Sequence, residues 1–379
     1  MRNKYLLLAG MLAALGPSVM HAQGSLSLQG LGYPSGELST RALGTGGALS
    51  GIDQRSPINP AAIAIQSAAQ IYAQYDPEFR TITSDGKTSS TAAARMPNVG
   101  GILPVNGHLV LGISASSFLD RTWETSRARV QNFGTDTVLF NESLKSEGAI
   151  TDVRLAAAYA VNARLRFGLA FHTFPGSERL TSNELFGDTT KYQNITQVTI
   201  VSYSGTAVSA GMEADVLPSL SLALSGRKGG NIKMFGNDSL LTMATIPTQY
   251  SGTLAFSGIP GTLVAFNATH ANWSQIASLS TLHTIAIDAN DFSFGVESSG
   301  PHVGGGFPVL LRLGIRRRTL PFQVGADAVQ ETSFGGGIGI PISYNRVTLD
   351  MALLRANRSG VANVSEHAYN LSFGLQVRP

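Results

Sequence analysis

Apolar and polar side chains alternate position by position over most of the chain beyond residue 69. The C-terminal stretch shows this most plainly. Tyr369, Leu371, Phe373, Leu375 and Val377 fall on one face, and Ala368, Asn370, Ser372, Gly374 and Gln376 on the other. Leu165, Phe167, Leu169 and Phe171 alternate with Arg164, Arg166, Gly168, Ala170 and His172. Val309, Leu311, Leu313 and Ile315 alternate with Leu310, Arg312, Gly314 and Arg316. Val347, Leu349, Met351 and Leu353 do so with Thr348, Asp350, Ala352 and Leu354. A period of two held over about ten residues predicts strands with one face in lipid and the other in a polar lumen. A soluble sandwich would show shorter strands and more surface charge.

Turn chemistry supports a barrel. Tight turns are predicted at Asn106-Gly107, Asn162-Ala163, Pro218-Ser219, Pro260-Gly261 and Asn345-Arg346, with a looser one near Gly304–Gly306. Longer polar connections are predicted around Asp85, Arg127–Glu147, Leu180–Asn194, Gly229–Thr245, Gln275–Ser280, Thr319–Gln330 and Asn357–Glu366. Short and long connections alternate, and the scheme gives an all-β, antiparallel transmembrane barrel of about 14 strands.

Ahead of the strands lies a different stretch, residues 41–69, with Ser56-Pro57-Ile58-Asn59-Pro60-Ala61-Ala62-Ile63 at its centre. Asn59 suits a helix N-cap and Pro60 the first helical position, where no N–H is needed. Ala61 to Ile65 then make one or two apolar turns. A glycine-rich coil and a short helix before an all-β chain are the parts of a plug. We expect a hatch over residues 23–66 and the barrel over 67–379.

Composition narrows the class further. Charged residues make up 13% of the 379, about half the usual share for a soluble domain, and there is no cysteine. Disulfides and thiolate metal sites are therefore excluded. Residues 1–22 read as a secretory signal: Arg2 and Lys4 are followed by the apolar run Leu6–Leu15 and by Met20-His21-Ala22. Its removal takes the formal charge from +3 to +1, so the basic character does not point to nucleic acid. No later run is long enough for a membrane helix.

Three sequence elements in register resemble the FadL-type outer-membrane transporters of long-chain fatty acids and other hydrophobic molecules. The first is RALGTGGALSG followed by Asn59-Pro60-Ala61, similar to that family's plug and its NPA motif. The second is Met96-Pro97-Asn98-Val99 with Pro104-Val105-Asn106 and Leu111-Gly112-Ile113. The third is Asn272-Trp273-Ser274-Gln275. The chain departs from the family pattern in ending Val377-Arg378-Pro379, without a terminal aromatic residue.

The resemblance implies a bacterial outer-membrane channel, among outer-membrane lipids, for a fatty-acid-like ligand. Passage would be gated by the hatch, with exit sideways through the wall. A carboxylate taken along this path needs cations or hydrogen-bond donors to offset its desolvation. Arg154, Arg164, Arg166, Arg312 and Arg316 fall on the inward face by alternation and are candidates, as are Asn59, Pro60 and Ala61 for gating. Against a ligand role, these arginines would simply pair with Asp53, Asp152, Asp350 or other lumen acids. Trp273 is read as an interfacial aromatic and His172 as a lumen polar residue.

No cofactor, metal or catalytic residue is expected. The glycine runs Gly44–Gly47 and Gly335–Gly339 lack the strand–loop–helix setting of a phosphate loop. A lipase would need a Ser–His pair positioned by a third group, and no G-x-S-x-G elbow is present. Two other roles compete with the transporter: a carrier or anchor for exported protein partners, and a diffusion porin. The plug argues against the second.

Overall fold

The computed structural model describes residues 31–84, 86–133, 136–187, 190–280, 285–302, 308–324, 327–342, 346–361 and 364–378. The expected signal peptide, the first residues of the expected hatch and the looser turn at Gly304–Gly306 lie outside them.

Fourteen antiparallel strands, several of them interrupted, close on themselves as a barrel. The first is β1 (Gln70–Ser84), and the second is split into β2 (Lys87–Arg95) and β3 (Asn98–Pro104). The third is split into β4 (Leu109–Asp120) and β5 (Trp123–Phe133), and the fourth is β6 (Asp136–Asn162). Next come β7 (Leu165–Thr173) with β8 (Gly176–Phe186), β9 (Ile195–Leu217) and β10 (Leu220–Gly236). The eighth strand is β11 (Ser239–Thr245) with β12 (Gln249–Ile259), and the ninth is β13 (Thr262–Ala271). A 3-10 turn at Trp273–Leu279 precedes the tenth strand, β14 (Ile285–Ala286) with β15 (Ala289–His302). The barrel ends with β16 (Pro308–Val324), β17 (Asp327–Ile342), β18 (Val347–Val361) and β19 (Val364–Val377). β19 pairs with β1 from Ile71↔Val377 to Ser84↔Val364, which closes the sheet.

The alternation predicted for the wall holds. Leu155, Phe167, Leu169, Phe171, Leu313, Phe334, Leu353 and Tyr369 stand exposed on the outer surface. Their neighbours Arg154, Arg166, His172, Arg312 and Ala352 are buried in the lumen. No helix among the described residues is long and apolar enough to span a membrane.

The predicted long connections are a point of difference. Most of their residues are strand: β6 runs 27 residues and β9 runs 23. In these extensions polar residues such as Ser143 and Lys145 break the alternation, although Val138, Phe140 and Phe186 still pack together. The ladder needs only backbone groups, so it persists where the side-chain pattern does not. The hairpin between β10 and β11 turns on Asn237 and Asp238, both at positive φ (47° and 63°), as a two-residue turn of this hand requires.

Proline marks three of the interruptions. Pro97, Pro175 and Pro247 lie between β2 and β3, β7 and β8, and β11 and β12. Each lacks the N–H that a central strand would contribute.

Candidate path through the lumen

Residues 31–66 lie inside the barrel and are mostly buried. Two short helices seat them. Helix α1 (Thr40–Gly44) is N-capped by Ser39, whose hydroxyl accepts from Ala42 N–H at 3.1 Å, and it packs on β16 to β19. The 3-10 helix Pro60–Ile65 packs on β4, β6, β7 and β9. Asn59 caps it as its sequence predicts: Oδ1 accepts from Ala61 N–H at 3.0 Å, and Nδ2 donates to Gly51 O at 2.8 Å. The segment thus bridges two separate arcs of the wall.

Wall glycines make room for it. A Cβ on Gly337 would sit 3.1 Å from Gly44 Cα, and one on Gly335 2.7 Å from Leu43 O. At Gly314 it would run into the Thr45 carbonyl and Gly46 N. The glycine run in β17 is therefore a seat for α1, consistent with rejecting it as a phosphate loop.

An ionic ring fastens the seat. Arg41 donates to Glu297 through Nε at 2.9 Å and Nη2 at 2.6 Å, and lies 3.6 Å from Asp53. Arg55 reaches Asp53 at 3.4 Å and donates to Asp350. Arg312 donates to Glu297 at 2.7 Å and also to Asp350. Burial opposes the charge on Arg41 and on Arg55. Glu297 beside Arg41 and Asp350 beside Arg55 outweigh it, and both arginines stay above the usual guanidinium range.

Beyond this ring the wall has a gap. β2 pairs only with β1 and β5 only with β6; no ladder joins β2 to β5 among the described residues. Residues 33–36 occupy the base of the gap. Tyr33 and Asp120 exchange both backbone hydrogen bonds, at 2.8 and 2.9 Å, and Gly36 N–H donates to Ser117 O at 2.8 Å. Gly32, at φ +111°, has Asp120 O where a Cβ would stand (2.6 Å), so no larger residue fits. The Tyr33 ring lies among Arg80, Arg95, Arg318 and Arg358, with guanidinium carbons 5.0 to 5.8 Å from its centroid. Tyr33 Oη donates to Glu331 at 3.3 Å and accepts from Arg318 and Arg358.

The gap borders the largest apolar cluster of the lumen, which includes Phe118, Leu119, Trp123, Phe174, Trp273 and Phe322. The 3-10 turn Trp273–Leu279 inserts Trp273, Ile276 and Leu279 into it, and Trp273 stacks on Phe118 at 5.3 Å. Arg227 lies over the rings of Phe118 and Phe174, 5.5 and 6.0 Å from their centroids. Asp152 lies 3.7 Å from Arg227. Two nitrogens of Arg227 (Nε, Nη2) and two of Arg154 (Nε, Nη1) are buried without a hydrogen-bond partner. An unpaired buried guanidinium is costly unless something anionic meets it.

Beside these arginines, His172 bridges Asp152 (Nδ1 to Oδ1, 2.8 Å) and Ser209 (Nε2 to Oγ, 2.8 Å). The connectivity is that of a nucleophile–base–acid chain. Here it is part of the wall: the three residues lie in the paired strands β6, β7 and β9, where the adjacent backbone N–H groups are spent on ladders. That leaves no backbone donors for a reacting carbonyl.

The structure sorts the predicted residues. Arg154, Arg166, Arg312 and Arg316 are buried and inward. Arg166 pairs with Glu213 at 2.7 Å and Asp215 at 3.0 Å, Arg312 with Glu297 and Asp350, and Arg316 with Asp291. Only Arg154 of these four lacks an acidic partner among the described residues. Arg164 is not in the lumen: it is exposed in the turn after β6. Asn162 Oδ1 accepts from the N–H groups of Arg164 and Leu165, which places the turn one residue later than alternation implies. Trp273 is also corrected: it is 3% exposed inside the lumen, not interfacial. Arg227 and Tyr33 were missed, Arg227 because it precedes a stretch read as a loop, Tyr33 because an isolated tyrosine in coil carries no pattern. No group of His, Asp and Glu among the described residues is arranged to hold a metal ion.

A closed antiparallel barrel with an apolar outer belt and a charged lumen, with residues 31–66 packed inside it, is a barrel of the bacterial outer-membrane type. Among the solved structures it resembles are barrels named as hydrocarbon channels and toluene transporters. A FadL homologue of Pseudomonas aeruginosa matches with TM-score 0.63 and 12% identity, over 92% of this chain and 99% of that one. The Ralstonia pickettii toluene transporter TbuX matches with TM-score 0.59 and 14% identity, over 90% and 98%. The Pseudomonas putida toluene transporter TodX matches with TM-score 0.57 and 11% identity, over 91% and 99%. The chain thus has the FadL-type fold. No protein-family model matches the chain, and no curated protein matches it in sequence.

Proposed function

We propose that the protein is an outer-membrane channel for hydrophobic compounds, with residues 31–66 acting as its hatch. The observation that carries this reading is the wall gap between β2 and β5, opening beside the apolar cluster around Phe118 and Trp273. An apolar ligand in that cluster can leave sideways into the bilayer without crossing water, and each buried methylene contributes about 0.8 kcal/mol to holding it in an apolar path. The solved barrels named as toluene transporters support the ligand class. The unpaired nitrogens of Arg154 and Arg227 support an acid head group, and so a fatty-acid-like ligand as well as a neutral one.

The test is uptake of radiolabelled oleate and toluene by proteoliposomes or cells carrying the protein, compared with empty controls. Uptake of either above the control is expected. Free passage of small sugars with no uptake of apolar compounds would show a diffusion porin instead.

A further inference from the structure

The end of the barrel where β1 begins and β19 ends holds a cavity of about 290 Å³ that the hatch reading does not use. Four arginines line it, Arg41, Arg55, Arg312 and Arg378, with Pro308 and Leu310 forming part of an apolar side. Three of the arginines are already matched. Arg41, Arg55 and Arg312 close a neutral ring with Asp53, Glu297 and Asp350, each arginine touching two of the acids.

Arg378 is the surplus charge. It has no acidic partner among the described residues, and its backbone N–H is tied to Arg346 O at 2.7 Å. We propose that this mouth is a binding site for a small organic monoanion. A carboxylate would lie between Arg378 and Arg55, with a short apolar body against Pro308 and Leu310. Burial and the charge of Arg55 both weigh against the charge on Arg378 and lower its pKa. An anion at this place relieves that repulsion. A guanidinium floor with an apolar side selects for an amphiphilic acid over a bare anion or a neutral alcohol, because only the acid satisfies both.

The ligand would also compete with Asp350 for Arg55. If the hatch reading holds, occupancy of the mouth then loosens one of the links that seat residues 31–66.

The experiment is calorimetric titration of the protein in lipid nanodiscs with hexanoate, hexanol and inorganic phosphate. Hexanoate is expected to bind one to one, and the other two not to bind detectably. Arg378→Gln should weaken hexanoate by about tenfold or more, the loss expected for one charge-assisted hydrogen bond, and Arg378→Lys should restore part of it. Heat-modifiable migration on gels checks that each variant is a folded barrel. Hexanoate binding unchanged by Arg378→Gln would overturn the proposal, as would hexanol binding equally well. Phosphate binding as tightly as hexanoate would reduce it to an unspecific cation patch. Oleate uptake measured on the same preparation separates the two readings. Uptake without hexanoate binding removes this site and spares the channel; binding without uptake does the reverse.

Discussion

Asp350→Asn is the sharpest probe of how the internal segment is held. Asp350 is fully buried and accepts hydrogen bonds from Arg55 of the segment and Arg312 of the wall. The ring it belongs to is neutral, three arginines against three acids, so the substitution leaves one uncompensated buried positive charge. Removing one partner of a buried pair costs about 3–5 kcal/mol, and the lower end applies here, because asparagine keeps a neutral acceptor in place. Arg312 retains Glu297 at 2.7 Å, so the loss falls on Arg55, whose remaining contact to Asp53 is longer at 3.4 Å.

A loss of about 3 kcal/mol, local to the segment, raises its opened population by about two orders of magnitude. Hydrogen exchange of residues 41–56 reads this directly. Their amides are protected by bonds such as Leu43 N–H to Ser39 O at 2.8 Å, Gly47 N–H to Ala42 O at 2.7 Å and Asp53 N–H to Leu49 O at 2.9 Å. Exchange there should accelerate by that factor while the β18–β19 ladder stays protected. Glu213→Gln, which breaks the pair with Arg166 elsewhere in the lumen, is the control and should leave residues 41–56 unchanged. Unchanged exchange in Asp350→Asn would refute the ionic clamp. Equal acceleration in the barrel ladder would show a general loss of stability in its place.

Three further outcomes follow from the same geometry. Asn59→Ala removes both the cap to Ala61 and the bond to Gly51 and should destabilise the 3-10 helix by about 1–2 kcal/mol, read as faster exchange over residues 59–65. Gly314→Ala drives a Cβ into the Thr45–Gly46 backbone and should expose the segment to protease, whereas Gly336→Ala, whose Cβ meets Leu313 at an ordinary 3.6 Å, should not. The change Arg154→Met removes two buried nitrogens that have no partner, so thermal stability should hold or rise. Oleate affinity should fall by about tenfold or more in that variant, with toluene uptake unchanged.

The barrel was legible because lipid imposes a rule on every second residue. Leu165, Phe167, Leu169 and Phe171 face outward whatever lies in the lumen. Asn59-Pro60 was legible for a local reason: capping depends on the residue and its next two neighbours. Inside the barrel no such rule operates. Whether an inward arginine is paired depends on strands distant in sequence, as with Arg41 and Glu297 or Arg358 and Glu78. Alternation alone therefore listed Arg312, which is saturated, beside Arg154, which is not. The broken strands did leave a trace, since Pro97, Pro175 and Pro247 interrupt otherwise regular runs. The gap between β2 and β5 left none, because it is an absence of pairing between two segments that are each paired on the other side.

The placement of residues 33–36 decides what must yield for the gap to widen. Only three residues separate Gly36 from Thr40, so the part that lines the gap is joined almost directly to the clamped helix α1. The three backbone hydrogen bonds at the gap contribute about 0.5–1.5 kcal/mol each, a total that about four ligand methylenes could match by burial. The ionic ring is beyond that reach, so under the proposed hatch reading residues 33–36 would move while α1 stays seated. The Tyr33 side chain adds to the hold on residues 33–36, by its ring among four arginines and by its hydroxyl to Glu331, Arg318 and Arg358. Under the proposed hatch reading, widening of the gap therefore requires release of Tyr33 and not withdrawal of the whole segment.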